Sequence, residues 1–215
     1  MSSRSSDAAA LGALWPALRE RLRAKELLGG DASGLSLRIP GIGMWFGRSA
    51  NEVPVRVRLG ADALPAGAEI HSAVYTVRPD VGAVAVGGGR FSARLADFGG
   101  RMPGVFDEQV RHLGRMGEPA RGVGGIARAL AEGGNVFVVG DTPVCLGTTA
   151  ARLALNAELF EKTAKAWVLA TAAGGQVRQL PWIVRWVANG RLMKDERRAA
   201  QRFATGLLPK ETRGY

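Results

Sequence analysis

The spacing of apolar residues predicts four helices along the chain. Leucine and tryptophan recur at intervals of three and four residues over 7–28, which is typical of a helix that Pro16 would kink or delay. Related patterns predict helices over 68–77 and over 148–173, the longest of the four. A short and charged final helix is predicted over 193–205.

Short apolar runs between these helices predict five strands, at 35–39, 44–46, 53–59, 81–86 and 136–139. Apolar and charged residues alternate over 53–59, which is typical of an antiparallel strand with one face in water. The runs 81–86 and 136–139 are apolar throughout, which indicates strands covered on both faces. Helices before, between and after short strands predict a layered α/β domain.

Length and composition indicate one folded unit. The chain has 215 residues, 47% of them hydrophobic, so we expect a single domain over 10–205. A disordered lead over 1–9 would precede it, and a basic tail over 206–215 would follow. Cys145 is the single cysteine, which excludes an internal disulfide and fits a reducing compartment. No apolar run reaches the roughly 18 residues that cross a bilayer, so we expect a cytoplasmic protein with no membrane partner.

The formal net charge of +10 raises the question of nucleic-acid binding, but its distribution argues against that function. Positions 178–215 contain nine Lys/Arg and three Asp/Glu, so +6 of the charge lies in the last 38 residues. No zinc-finger motif or aromatic-basic platform accompanies this charge. We interpret the segment as a solvated basic tail or a subunit contact.

Four segments, in order, resemble a known family. They read GDASGLSLRIPG at 30–41, EIHSAVYTVRPDVGAV at 69–84, MPGVFDEQVRHLG at 102–114, and VFVVGDT at 136–142 with a long helix after it. On these segments the chain resembles the class II aldolase/adducin family over about residues 10–175. The resemblance implies a three-layer α/β/α fold, in which helices flank a central, mostly antiparallel sheet. It also implies a homo-oligomer, for instance a tetramer, with the substrate cleft between subunits.

The metal site of that family has no counterpart among the matching residues. Family members hold a divalent metal ion with three histidines, and imidazole is a strong ligand for zinc. The matching positions here are Val86, Gly88 and Gly134, and none has a side-chain donor. The chain's two histidines, His71 and His112, take no ligand position. We therefore expect no metal and no cofactor, and Gly88 and Gly134 remain candidate contacts to a substrate.

The phosphate site implied by the resemblance is also altered. Sugar-phosphate members bind the dianion with Gly-Asn, Ser-Gly and Ser-Ser pairs, whose N–H groups and hydroxyls face the phosphate. The corresponding positions 33–34, 46–47 and 66–67 read Ser-Gly, Phe-Gly and Ala-Gly here. The candidate substrate contacts that remain are Ser33, Gly34 and Gly47.

Three residues are candidates for proton transfer: Glu69, Glu108 and His112. The family's catalytic carboxylate would fall on Gly67, and Glu69 lies two residues later on a different helix face. Glu108 and His112 are four residues apart, so they would form either an acid–base pair or an ordinary pair on a helix surface. His71 is expected to make a structural hydrogen bond.

Two arginines are candidates for binding an anion. Gly87-Gly88-Gly89 followed by Arg90 reads either as an anion-binding nest with a guanidinium clamp or as a tight turn. Arg78 is the second candidate, although with Asp80 it would rather fix the turn at Pro79.

Two classes of function fit these observations. The first is a metal-independent enzyme, a lyase or isomerase, that binds a small, anionic organic substrate in an intersubunit cleft. The second is a non-catalytic binding or scaffold subunit that partners an active paralogue. A metal-dependent sugar-phosphate aldolase or decarboxylase is a more distant third.

Overall fold

The computed structural model describes residues 2–211, with side chains from residue 6 onward. Its centre is a six-stranded sheet of order β3-β2-β1-β4-β6-β5, in which every neighbouring pair is antiparallel. The strands are β1 (Gly34–Ile39), β2 (Gly43–Arg48), β3 (Val55–Arg58), β4 (Ala83–Val86), β5 (Val136–Val139) and β6 (Thr142–Gly147). The predicted α/β fold with a mostly antiparallel sheet is confirmed.

Six α-helices and two short 3₁₀ helices accompany the sheet. The α-helices are α1 (Ser2–Ala24), α2 (Glu69–Val77), α3 (Asp107–Leu113), α4 (Ile126–Ala129), α5 (Ala150–Ala172) and α6 (Trp182–Ala204). The 3₁₀ helices cover Ser92–Phe98 and Val123–Gly125. No helix within the described residues is both long and apolar enough to pass through a membrane.

The alternation of side chains along the strands divides the core into two layers. In β4, Ala83 and Ala85 face a cluster built with α1 and α5, while Val84 and Val86 face a second cluster built with α2 and α4. Burial on both faces explains why β4 and β5 read as continuous apolar runs. The result is the predicted arrangement of helix, sheet and helix layers.

Several predicted boundaries were wrong. Helix α1 begins at Ser2 and passes through Pro16, so most of the segment predicted as a disordered lead is helical. Helix α6 begins at Trp182, eleven residues before the predicted start at 193. Of the predicted tail 206–215, residues 212–215 lie outside the described part. Strand β6 was not predicted, because Pro143 removes a backbone donor and is unusual inside a central strand.

Strand β3 differs from the prediction in its burial. Val57 is buried, but Val53 precedes the strand and Val55 is half exposed. The cause is the position of β3 at the edge of the sheet, where only β2 covers it.

At one end of the sheet, β1 and β6 begin and β4 and β5 end. Gly34 begins β1 opposite Val86, the last residue of β4, and Val86 in turn pairs with Val144 near the start of β6. Strand β5 also ends here, since Val139 pairs with Thr142. We refer to this as the Val86 end of the sheet.

Candidate functional site

A cleft of about 610 Å³ opens at the Val86 end. Its walls come from the loop after α1, the loop after β4 and the turn between β5 and β6. Residues that line it include Asp31, Ser33, Gly88, Arg90, Asp141 and Thr142. Its volume falls within the range of small-molecule sites.

The glycines after β4 are required by close packing. Gly87 and Gly88 have φ angles of +129° and +70°, a region that side chains disfavour. A Cβ atom on Gly87 would lie 2.5 Å from the carbonyl oxygen of Gly29, and one on Gly88 would lie 2.8 Å from the ring of Pro143. A side chain at position 88 would therefore displace the side chains of Ser92 and Pro143.

The donor set at this end does not fit the metal implied by the fold. Val86 is buried in the core, and Gly88 has no side chain. Among the described residues, no three of His, Cys, Asp or Glu come together as a metal site. Glu26, Asp31 and Asp141 supply carboxylates to the cleft wall, but they do not converge into the three-ligand site that holds zinc.

The sequence placed Gly134 in this site, and the structure corrects that. Gly134 precedes β5, whereas the cleft lies where β5 ends, so the four-residue strand separates them by roughly 13 Å. Its carbonyl oxygen accepts a hydrogen bond from Arg78, and an added Cβ would meet the carbonyl oxygen of Arg115. The residue of this region that lies in the same cleft as Gly88 is Asp141, in the β5–β6 turn.

The backbone that directly follows the predicted anion nest, Gly87-Gly88-Gly89, holds a carboxylate of the protein itself. Glu161 of α5 accepts hydrogen bonds from the backbone N–H groups of Phe91, at 2.6 Å, and Ser92, at 2.9 Å. The hydroxyl of Ser92 donates to the same carboxylate at 2.7 Å and accepts from the N–H of Gly89. These donors are therefore used internally. Sequence reasoning missed Glu161 as the partner.

Arg90 is the exposed cation of the cleft. Its side chain reaches solvent, and within residues 2–211 no carboxylate pairs with it. Arg94, also in the wall, forms an exposed ion pair with Asp97 at 3.6 Å. Arg90 therefore lies in the wall of the cleft with its side chain exposed to solvent.

Of the three remaining phosphate-site positions, only Ser33 lines the cleft. Ser33 is buried, and its hydroxyl forms a hydrogen bond with that of Ser49. Gly34 gives room to Phe46 and His71, since an added Cβ would lie 3.2 Å from both side chains. Gly47 packs beneath Trp15 in the same way, so neither glycine presents a surface to the cleft.

His71 has the expected structural role. Its Nδ1 is joined by a 2.8 Å hydrogen bond to the hydroxyl of Ser36, which in turn bonds the Tyr75 hydroxyl at 2.9 Å. Complete burial lowers the pKa of His71 to about 3, so the ring stays neutral. Burial also raises the pKa of Tyr75.

Arg78 is corrected from a substrate contact to a structural one. It is buried, and it donates two hydrogen bonds to Asp80, at 2.8 and 2.7 Å. It also donates to the amide oxygen of Asn135 at 3.0 Å and lies 3.0 Å from the carboxylate of Glu196. Arg78 therefore joins the end of α2 to α6, in agreement with the turn-fixing alternative.

Glu69 lies close to the Val86 end. Its carboxylate accepts a 2.9 Å hydrogen bond from the N–H of Gly67, the position at which the resemblance implies a catalytic carboxylate. The ring of Phe46 lies next to both Gly67 and Gly34, since a Cβ added at either glycine would lie within 4 Å of it. One aromatic ring therefore separates the Glu69 region from the strand that follows Ser33.

Glu108 and His112 occupy α3 and do not line the cleft. Glu108 is exposed and lies 3.4 Å from the ammonium of Lys162. Arg152 donates to His112 Nδ1 at 2.7 Å, and burial, together with the positive charges of Arg152 and Arg111, lowers the pKa of His112. Each residue thus has a cationic partner of its own.

Cys145 is a free, buried thiol. It lies in the core on β6, and burial raises its pKa, which keeps it protonated.

Solved structures resemble the chain over most of its length. YgbL from Escherichia coli is 17% identical and superposes with a TM-score of 0.66, over 86% of this chain and 99% of its own. L-fuculose 1-phosphate aldolase from Glaciozyma antarctica is 16% identical, with a TM-score of 0.68 over 98% and 96%. An aldolase II superfamily protein from Pseudomonas syringae is 15% identical, with a TM-score of 0.62 over 98% of both chains.

Comparisons at the level of sequence give a different result. No protein-family model matches the chain, and no curated protein is significantly similar to it. The structural likeness, at identities below one fifth, shows the fold alone. On that likeness the chain has the class II aldolase fold.

Proposed function

We propose that this protein binds a small organic anion in the cleft at the Val86 end, and that it does so without a histidine-bound metal ion. The observation that carries the proposal is the exposed guanidinium of Arg90 beside a cleft of about 610 Å³. A guanidinium binds a carboxylate through two parallel hydrogen bonds, which gives both charge and orientation. The absence of imidazole at Val86 and Gly88 supports metal independence.

The cleft also offers groups for proton transfer. Asp141 lines it, and the Glu69 carboxylate lies at Gly67, beyond the ring of Phe46. With Arg90 holding the carboxylate of a substrate, Asp141 would remove a proton from the carbon next to a carbonyl, and Glu69 would take this role for a substrate that extends past Phe46. This arrangement favours a lyase or isomerase reaction. A second subunit of a homo-oligomer, for instance a tetramer, would complete the cleft.

A thermal-shift and calorimetric panel of small carboxylates and sugar acids, such as lactate, malonate, tartrate and gluconate, tests the proposal. We expect at least one compound to bind and Arg90→Ala to weaken it about tenfold, the loss of one charge-assisted pair. Arg58→Ala, an exposed arginine on the edge strand β3, is the matched control and should leave binding unchanged. Binding that survives Arg90→Ala would refute the proposed contact.

A second candidate function is a non-catalytic subunit that partners a paralogue. It is favoured by the engagement of Glu161 and Arg78 in internal contacts, which removes two groups that chemistry could use. Turnover of any bound compound that is lost in Glu69→Gln or Asp141→Asn supports the enzyme. Binding without turnover in both the wild type and the variants supports the non-catalytic subunit.

A further inference from the structure

A second cleft lies between α3, α5 and α6, and it shares no lining residue with the cleft at the Val86 end. Its volume is about 690 Å³, which suits a ligand of one or two rings. We refer to it as the tryptophan cleft. The proposed function above makes no use of it.

Three tryptophans give this cleft its shape. Trp182 and Trp186, four residues apart on α6, are 70% and 72% exposed, while Trp167 of α5 packs against the core. The buried side chains of Met102 and Met116 contribute apolar surface beside them. Exposed indole faces are unusual on a folded surface, and they bind planar rings by stacking.

The charge of the tryptophan cleft has one sign. Three arginines line it, at 101, 115 and 185, and no aspartate or glutamate does. Arg101 and Arg115 are offset by Glu132, which lies outside the lining, at 3.5 and 2.7 Å. Arg185 donates only to the neutral amide of Gln179, at 3.2 Å, within the described part of the chain. Arg185 therefore contributes a positive charge that no neighbouring carboxylate offsets.

Two N–H groups of the wall also lack acceptors. The Nε1 of Trp167 and the Nε of Arg185 are shielded from solvent, and no described residue accepts a hydrogen bond from either. A buried donor without an acceptor costs about 1–3 kcal/mol. A ligand oxygen would relieve this cost where a rotation of either side chain turned its N–H toward the cleft.

From these features we propose that the tryptophan cleft binds an aromatic carboxylate, with its ring against Trp182 and Trp186 and its carboxylate on Arg185. A contact between two copies is the other use for exposed tryptophans. A two-fold contact through this face would place the Arg185 side chains of both copies in one interface, because such an interface uses the same patch on each copy. Like charges without a carboxylate between them disfavour that contact, whereas an aromatic anion satisfies both the rings and the charge.

Isothermal titration of the full chain with 2-naphthoate tests the proposal, with 2-naphthamide as the neutral compound of the same shape. We expect 2-naphthoate to bind at least about tenfold more tightly than the amide. Arg185→Gln should remove that preference while leaving amide binding unchanged. Trp186→Ala should weaken both compounds about tenfold, the contribution of one stacked ring.

Two controls make the outcome decisive. Arg198→Gln removes an exposed arginine from the same helix outside the cleft, and Arg90→Ala removes the cation of the other cleft, so both should bind 2-naphthoate as the wild type does. Because Trp186 and Arg198 are exposed, circular dichroism should show both variants folded. Equal affinity for acid and amide would overturn the proposal. A loss of 2-naphthoate binding in Arg90→Ala would also overturn it. The same holds if light scattering shows that Trp186→Ala halves the molar mass while neither compound binds the wild type.

Discussion

The buried cluster that fastens α6 to the sheet predicts a measurable pH dependence of stability. Glu196 of α6 lies 3.0 Å from Arg78, and burial, with the nearby charge of Asp80, raises the pKa of Glu196 from 4.5 to about 7. Arg78 acts in the opposite direction, but its charge is shared with Asp80 through two hydrogen bonds. The perturbation that isolates this effect is Glu196→Gln, which preserves the shape and removes the titration.

The direction of the effect follows from proton binding. Because the folded-state pKa is raised, the folded protein holds a proton on Glu196 that the unfolded chain releases above about pH 4.5. The contribution of Glu196 to stability is therefore fully present below that pH and is lost as the pH rises through about 7. A shift of this size corresponds to roughly 2–3 kcal/mol between pH 5 and pH 8.

Urea denaturation of the wild type and of Glu196→Gln at pH 5, 6, 7 and 8 measures this directly. The free energy of unfolding of the variant, relative to the wild type, should rise by roughly 2–3 kcal/mol across that range. Glu20→Gln, on the exposed face of α1, is the control and should show no such trend. A constant difference between Glu196→Gln and the wild type at all four pH values would refute the reasoning.

Three further predictions concern the Val86 end. Glu161→Gln should lower the free energy of unfolding by about 2–3 kcal/mol, because it replaces the carboxylate that accepts from Phe91 and Ser92 with an amide, a weaker acceptor. Urea titration at pH 7 measures this loss, and a loss under about 0.5 kcal/mol would count against the contact. Gly88→His should reduce the melting temperature, since a side chain there meets Pro143. Elemental analysis of this variant should find no stoichiometric zinc, because the new histidine has no partner ligands among the described residues. A stable, zinc-loaded variant would contradict both expectations. Ser36→Ala should lower the free energy of unfolding by about 1–3 kcal/mol in the same urea assay, because the imidazole of His71 then loses its hydrogen bond within the core. An unchanged denaturation midpoint would refute this prediction.

The sequence predicted the layers of this fold well, and the reason is physical. Strands β4 and β5 are buried on both faces, so their apolar runs carry an unambiguous signal, and the predicted 136–139 matches β5. The long helix predicted over 148–173 matches α5 closely, because its apolar stripe faces the core. Strand β6 was missed because Pro143 interrupts its pattern.

That missed strand produced the main error in the site. Without β6, the third histidine position of the family was placed before the strand Val136–Val139, at Gly134. The structure shows that the cleft lies at the other end of this strand, beside the β5–β6 turn that contains Asp141. The acceptor role of Glu161 could not be predicted either, because it contacts Phe91 and Ser92 across about 70 positions of sequence. Local patterns report which face of an element is buried, whereas such long-range pairs depend on how the elements pack.

In the proposed function, the Val86 end binds an anion through Arg90 and without a metal ion. Titration of the tightest-binding small carboxylate into the wild type and Arg90→Ala, each with and without EDTA, tests it most directly. We expect an affinity that EDTA leaves unchanged and that Arg90→Ala weakens about tenfold. Binding that EDTA abolishes and that Arg90→Ala leaves intact would contradict it.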